Sequence, residues 1–253
     1  GLPALFDFSF WWNLRDAIGA GKGASFPGLV LDNQARYAQY AASAPWTPID
    51  ATKLSNHDEQ RTGSDFDKSL EKMKLAACVL LTASGEPFVY QGEELGYWGV
   101  KEGRGDEYVR APINWKADGS DQAKAALGSK IEAGMLDSAH SVETQEKDEN
   151  SILNVYRTFG ALRNKYPSLG KRGSMSQHPT FGSSSSVPAA SVWYRTCGSE
   201  KMLVVHNFSG SAISLTLESD NLSNLVGSNG SVLAVPKYSV LELGPYASAV
   251  FKQ

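Results

Sequence analysis

The sequence predicts a mixed fold: part of a parallel α/β barrel over residues 1–170, followed by an antiparallel β-sandwich over residues 171–253. Three observations predict it. In the first region strand-like and helix-like runs alternate, as crossover connections between parallel strands require. About three such units are present, too few to close an eight-stranded barrel. The second region has hardly any helical periodicity and shows short alternating runs separated by Gly, Ser, Asn and Pro.

The elements follow in order. Residues 4–8, Ala-Leu-Phe-Asp-Phe, read as a strand, with the aromatic cluster Phe10, Trp11 and Trp12 behind it. A helix is expected over 29–42, stopping before Pro45, because the residue preceding a proline is steered out of the helical region. Residues 52–54 form a short strand that leads into Ser55-Asn56-His57-Asp58. The next helix is expected to start near Ser64, with Asp67 standing in for the Glu of a capping box. Phe66, Leu70, Met73 and Ala77 then recur at helical spacing. Gly85 ends that element, and residues 87–90 read as a buried strand. Residues 99–148 are polar and aperiodic, and a loop this long in a compact unit is usually functional. The clearest helix carries Ile152, Val155, Tyr156, Phe159, Leu162 and Tyr166 on one stripe and ends at Pro167. Beyond it, strands are expected at 191–196, 202–208, 213–217, 231–235, 240–243 and 247–252, and the serine run at 183–186 is a loop.

At 253 residues, with 42% hydrophobic and 20% charged side chains, the chain has an ordinary globular composition. A formal net charge of −3 offers no general attraction for nucleic acid or anionic membranes. The longest apolar run, residues 75–81, is far too short to span a bilayer. Cys78 sits in that run and reads as a small buried hydrophobe. No disulfide to Cys197 is expected, and two cysteines leave the redox compartment open. The start Gly-Leu-Pro, without an initiator Met, suggests a processed or truncated chain, and localisation stays open. His57, His140, His178 and His206 lack metal-ligand spacing. Residues 137–149 are acidic but lack the Asp-x-Asp-x-Asp-Gly pattern, so a solvated loop is expected. No cofactor is expected of this chain; calcium would belong at most to a longer parent.

Two segments carry chemistry. Residues 54–61, Leu-Ser-Asn-His-Asp-Glu-Gln-Arg, sit where a strand hands over to a loop, the catalytic face of a βα barrel. The plain alternative is that Asn56 and Asp58 cap the helix that follows. Residues 85–96, Gly-Glu-Pro-Phe-Val-Tyr-Gln-Gly-Glu-Glu-Leu-Gly, are a second strand ending in polar groups. Glu93 and Glu94 are candidate carboxylates there, with an ion pair or loop hydrogen bond on the rim as the favoured reading.

In order, spacing and content these two segments resemble the seventh and eighth barrel strands of the α-amylase family of glycoside hydrolases. Residues 109–115, Val-Arg-Ala-Pro-Ile-Asn-Trp, are similar to the segment that follows the family's eighth strand, and 150–167 resemble its eighth helix. Residues 204–209 and 243–250 resemble strands of its C-terminal sandwich. The resemblance implies that Asp58 is the transition-state-stabilising aspartate and that His57 hydrogen-bonds the same sugar ring. Arg61 matches a common member of the same motif, with either a substrate-binding or a structural role, and Asn56 in that segment is a further substrate-binding candidate. Tyr97 and Trp98, just past the second strand, are the aromatic candidates for stacking on sugar rings. Trp11, Trp12 and Trp115 also fall near strand ends or loops, where sugar rings stack on aromatic faces.

A retaining glycosidase needs a nucleophile and an acid/base carboxyl about 5–5.5 Å apart. The family takes them from its fourth and fifth strands, no match for either occurs here, and Asp7 is not in a suitable context. The expectation is therefore a C-terminal part of an α-glucan or maltooligosaccharide hydrolase, inactive alone and requiring the N-terminal remainder of the barrel. The alternative, a non-catalytic homologue used for carbohydrate binding or interaction, is disfavoured by the joint presence of His57 and Asp58.

Overall fold

A computed structural model describes residues 4–40, 48–120 and 130–253. Strand β1 (Ala4–Asp7) lies parallel to β2 (Ile49–Thr52), with Ala4 opposite Ile49 and Asp7 opposite Thr52. Helices α1 (Phe8–Ala20) and α2 (Phe26–Tyr40) form the crossover between them. A single parallel bridge, Lys53 to Phe88, continues the arc toward the next strand position.

Three local expectations are corrected. The aromatic cluster lies on α1, which begins directly after β1 because the Asp7 carboxylate accepts from Phe10 N at 3.0 Å and so caps the helix. Phe10 and Trp11 point inward and Trp12 outward. The helix expected from Ser64 is two pieces, α3 (Thr62–Asp65) and α4 (Leu70–Thr82), parted by Asp67 and Lys68 in left-handed conformation. Ser69 caps α4, whereas Ser64 spends its hydroxyl on Gly99 N at 2.8 Å. Residues 87–90 form no ladder beyond the one bridge, and Phe88 and Val89 are 48% and 43% exposed rather than buried. Residues 41–42 of the expected second helix lie outside the described residues.

After the short helix α5 (Val142–Gln145), α6 (Ile152–Lys165) follows with Ser151 as its cap. Its expected stripe packs on α4, whose residues 75–81 are buried on every side. A helix apolar all round belongs in a core centre.

The second region is antiparallel throughout. Strands β3 (Ser174–Gln177), β4 (Ala190–Cys197), β5 (Glu200–Asn207), β10 (Ser248–Lys252) and β7 (Leu225–Asn229) form one sheet in that order. Strands β6 (Ile213–Thr216), β9 (Val240–Leu243) and β8 (Val232–Val235) form the other. Successive side chains of the larger sheet serve two cores, as the period of two dictates. Val192, Leu203, Val205, Ala249 and Phe251 face the smaller sheet, while Trp193, Met202, Val204 and Val250 face the helices.

Polar wiring joins the sheet to α4. The buried Arg195 guanidinium donates to the carbonyls of Thr82 (2.6 Å), Ala83 (2.5 Å), Gly170 (2.9 Å), Gly173 (3.1 Å) and Ser174 (3.3 Å). Arg163 donates to Leu81, Ala83 and Gly85 carbonyls. Burial, with Arg163 beside it, draws the Arg195 pKa down to about 9. His206 is a core histidine. Thr82 Oγ1 donates to Cys78 O and so accepts from His206 Nε2–H at 3.2 Å, leaving Nδ1 to accept from Ser248 Oγ at 2.7 Å. Burial drives its pKa down to about 3. Both cysteines are free.

One buried group is costly. Asp50 is 7% exposed, and neither carboxylate oxygen makes a well-formed hydrogen bond among the described residues, with Asp7 and Gln34 as its polar neighbours. Burial, then the charge of Asp7, raises its pKa to about 7. A carboxyl raised from about 3.9 in the unfolded chain stabilises fully below that value and loses its contribution as pH rises through 7. Asp50→Asn is therefore expected to gain roughly 2–4 kcal/mol over the parent sequence at pH 8 and almost nothing at pH 4. Thermal unfolding at the two pH values checks this; an equal effect at both would contradict it.

Candidate active site

Beyond β2, Lys53 is buried, with its ammonium ion-paired to Glu59 and lying 4.1 Å from the Phe8 ring centroid. The chain then turns outward. Asn56 Oδ1 accepts from Asp58 N at 2.7 Å, an Asx-turn that aims the next two side chains at solvent. His57 and Asp58 are each 58% exposed at the side chain. The turn closes where Arg61 N donates to Gly99 O at 3.0 Å and α3 begins. Gly63 is required there: a Cβ would stand 2.5 Å from Tyr97 O.

Asp58 sits beside two cations and an imidazole. Its Oδ1 lies 3.2 Å from Arg110 Nη2 and 3.8 Å from Lys101 Nζ, and its Oδ2 lies 3.3 Å from His57 Nε2. Arg110 Nε donates to His57 O at 3.1 Å, and both cations also pair with Asp106, at 2.6 and 2.8 Å. Such exposed pairs add little stability. They orient the carboxylate instead. Neither Lys101 nor Asp106 carries a signal in the sequence, whereas Arg110 stands in the Val-Arg-Ala-Pro motif, which by itself does not reveal its partner.

The other candidates lie beneath the turn. Asn56 is almost fully buried as the turn former. Arg61 is wholly buried, donating to Gln91 O at 2.8 Å and lying 4.6 and 5.4 Å from the ring centroids of Tyr90 and Tyr97. Tyr97 OH donates to Pro112 O at 3.3 Å and accepts from Asn114 N at 2.9 Å. Trp98 packs edge-on to His140 at 5.0 Å, beside Lys68 at 4.6 Å. In this structure Arg61, Tyr97 and Trp98 are buried against the underside of the turn, whereas His57 and Asp58 are presented to solvent. Leu95, Ala111, Met135, Leu136 and Leu153 close a small core over the two rings, so part of the polar segment 99–148 acts as a lid on them. Among the described residues Trp12 and Trp115 are exposed, and Trp11 is core.

Among the described residues no three His, Cys, Asp or Glu side chains converge as a metal site requires. The acidic stretch is locally satisfied: Glu146 pairs with Arg157 at 2.6 Å, Glu143 with Lys147 at 3.6 Å, and Asp148 accepts from Asn150 N. No helix among the described residues is long and apolar enough to cross a membrane.

Residues 7–172 match the family described as Alpha amylase, catalytic domain, and residues 191–250 match the Alpha-amylase SusG C-terminal domain. Over its full length the chain is 42% identical to Alpha-amylase SusG of Bacteroides thetaiotaomicron, spanning 35% of that protein. It is 30% identical to Alpha-amylase 3 of Dictyoglomus thermophilum, spanning 47% of it. The whole chain also superposes on the alpha-amylase from H. orenii with a TM-score of 0.78 at 23% identity, covering 49% of that structure. The chain therefore spans about a third to a half of the length of these relatives. With both regions matched, it belongs to the alpha-amylase family.

Proposed function

We propose that this chain is the C-terminal part of a retaining hydrolase of α-1,4- or α-1,6-glucosidic bonds, with a maltooligosaccharide or α-glucan as substrate. The observation that carries the reading is the Asp58 carboxylate, turned outward by Asn56 and steadied by His57, Lys101 and Arg110. Negative charge held at that place lowers the energy of an oxocarbenium-like transition state, and His57 supplies a hydrogen bond to the same ring. Arg61, Tyr97 and Trp98 support the turn from below. Residues 1–170 serve as barrel and 171–253 as its sandwich.

The nucleophile and general acid come from a segment outside this chain. Leu5, Phe6, Phe8, Ile49, Phe88 and Val89 are all more than a third exposed, an apolar patch of the kind that marks an unfilled interface. The remainder of a barrel would cover it. The names of relatives, among them alpha-amylase and oligo-1,6-glucosidase, support the substrate class.

The isolated chain is expected to release no reducing sugar from maltoheptaose, and the full-length protein is expected to release the α-anomer first. Proton NMR of early product distinguishes the outcomes. Turnover by the chain alone, or a β-anomer from the full-length protein, would overturn the reading.

A further inference from the structure

The turn that carries His57 and Asp58 is tied at both ends by one side chain. Glu93 is 4% exposed. Its Oε1 accepts from Ser55 Oγ at 2.5 Å and from Thr62 Oγ1 at 3.2 Å, and its Oε2 accepts from Tyr90 N at 3.2 Å. Ser55 immediately precedes Asn56, and Thr62 immediately follows Arg61. A single carboxylate oxygen thus spans the whole turn, and the second oxygen fastens it to the loop entering from the neighbouring strand position.

We propose that Glu93 is a positioning residue for Asp58, and that its protonation state sets how firmly the turn is held. The proposal rests on the reading of Asp58 as the transition-state carboxylate. Glu93 itself touches no substrate: it lies below the surface that Asp58 and His57 present.

The physical reason is a count of acceptors. An ionised carboxylate only accepts and has lone pairs for all three donors. Once protonated, one oxygen carries a hydrogen that needs an acceptor, while every neighbour bonded to it is acting as a donor. One tie must then be given up or reversed. Burial pushes the Glu93 pKa up to about 7, against the opposing pull of Ser55, Tyr90 N–H, Arg61 and Thr62. The charged and titratable groups facing it are Arg61 from the turn, Tyr90 and Glu94 from its own loop, and Tyr156 from α6. Arg61 favours the ionised form, and the two phenols, both raised by burial, stay neutral through this range. The change in hold therefore centres near neutral pH, with the turn half released at about 7, progressively tied above it and loosened below.

An acidic limb in kcat should follow, since misplacing a transition-state group costs turnover rather than ground-state binding. Three variants of the full-length protein test this: Glu93→Gln, Ser55→Ala and the pair together. Glu93→Gln keeps the shape but cannot ionise. It is expected to lower kcat roughly 10- to 100-fold at pH 8 with KM little changed, and to remove the limb near pH 7. Ser55→Ala, which leaves the carboxylate in place, keeps the proposal testable should Glu93→Gln fold poorly; it should cost less, and the pair no more than Glu93→Gln alone. Hydrogen exchange at the amides of Asp58 and Arg61 should speed up in both single variants. That readout does not depend on catalysis. Faster exchange with unchanged kcat would leave Glu93 as the holder of the turn and remove the reading of Asp58. Unchanged exchange together with a retained pH limb in Glu93→Gln would overturn the proposal.

Discussion

Asp58→Asn in the full-length protein is expected to lower kcat by about 10²–10³ or more, the cost of removing one preorganised charge from a transition state, with KM within a few-fold of its starting value. The carboxylate is more than half exposed, and its contacts are surface pairs with Arg110, Lys101 and His57. Pairs of that kind contribute about 0–1 kcal/mol to folding. The Asx-turn uses the Asp58 backbone amide, which Asn retains. Stability should therefore stay put while turnover collapses. Steady-state kinetics on a maltooligosaccharide beside a thermal melt separate the two, and near-normal turnover of the variant would sink the assignment.

Arg195→Met is expected to show the opposite pattern, a loss of folding free energy of about 3–5 kcal/mol. Replacing a buried ion pair by apolar residues is often harmless, because both charges leave together. Arg195 differs because its partners are backbone carbonyls, at Thr82, Ala83, Gly170, Gly173 and Ser174. These cannot be mutated away. Two of them belong to the C-terminal end of α4, where the helix leaves carbonyls unpaired and carries partial negative charge. Methionine would fill the volume but remove all five contacts; Ala83 O keeps its bond from Arg163 and Gly170 O its bond from Gly173 N, while Thr82 O loses its short 2.6 Å partner. At roughly 2–4 °C per kcal/mol for a chain of this size, the melting temperature should drop by around 10 °C. Lysine should recover only part of this, since one ammonium cannot reproduce a planar fork of five donors. A loss under 1 kcal/mol in denaturant titration would show that water replaces the guanidinium at no cost.

Much of this architecture is legible in the sequence. The stripe of α6 and the alternation in β4, β5 and β10 were strong because each spans eight or more residues or meets a core on both faces. The turn at Asn56–Asp58 was legible because its polar residues follow a strand directly. Helix α1 was hidden: Phe-Ser-Phe-Trp-Trp favours strand by local preference, and tertiary burial of Phe10 and Trp11 overrides it. Strands β3 and β7, Ser-Met-Ser-Gln and Leu-Val-Gly-Ser-Asn, sit at the sheet edges and lack the apolar alternation a search relies on. Within the site, sequence order does not reveal which aromatic at a strand end is roofed over. Tyr97 and Trp98 are buried by Met135, Leu136 and Leu153, dozens of residues downstream. Glu93 was visible as a carboxylate on the rim; that it bonds Ser55 and Thr62 depends on two loops meeting in space.

The larger sheet also constrains heredity. Its strands answer to two neighbours at once, Leu203 and Val205 to the smaller sheet, Met202 and Val204 to the helices. A genetic crossover in the joint between α6 and β3 would bring in a foreign sandwich whose outward face had been shaped by different helices. Trp193, Val250, His206 and Arg195 would each lose the surface that fits them. Shuffling at that joint is thus expected to yield misfits unless the helices travel with the sandwich they pack on.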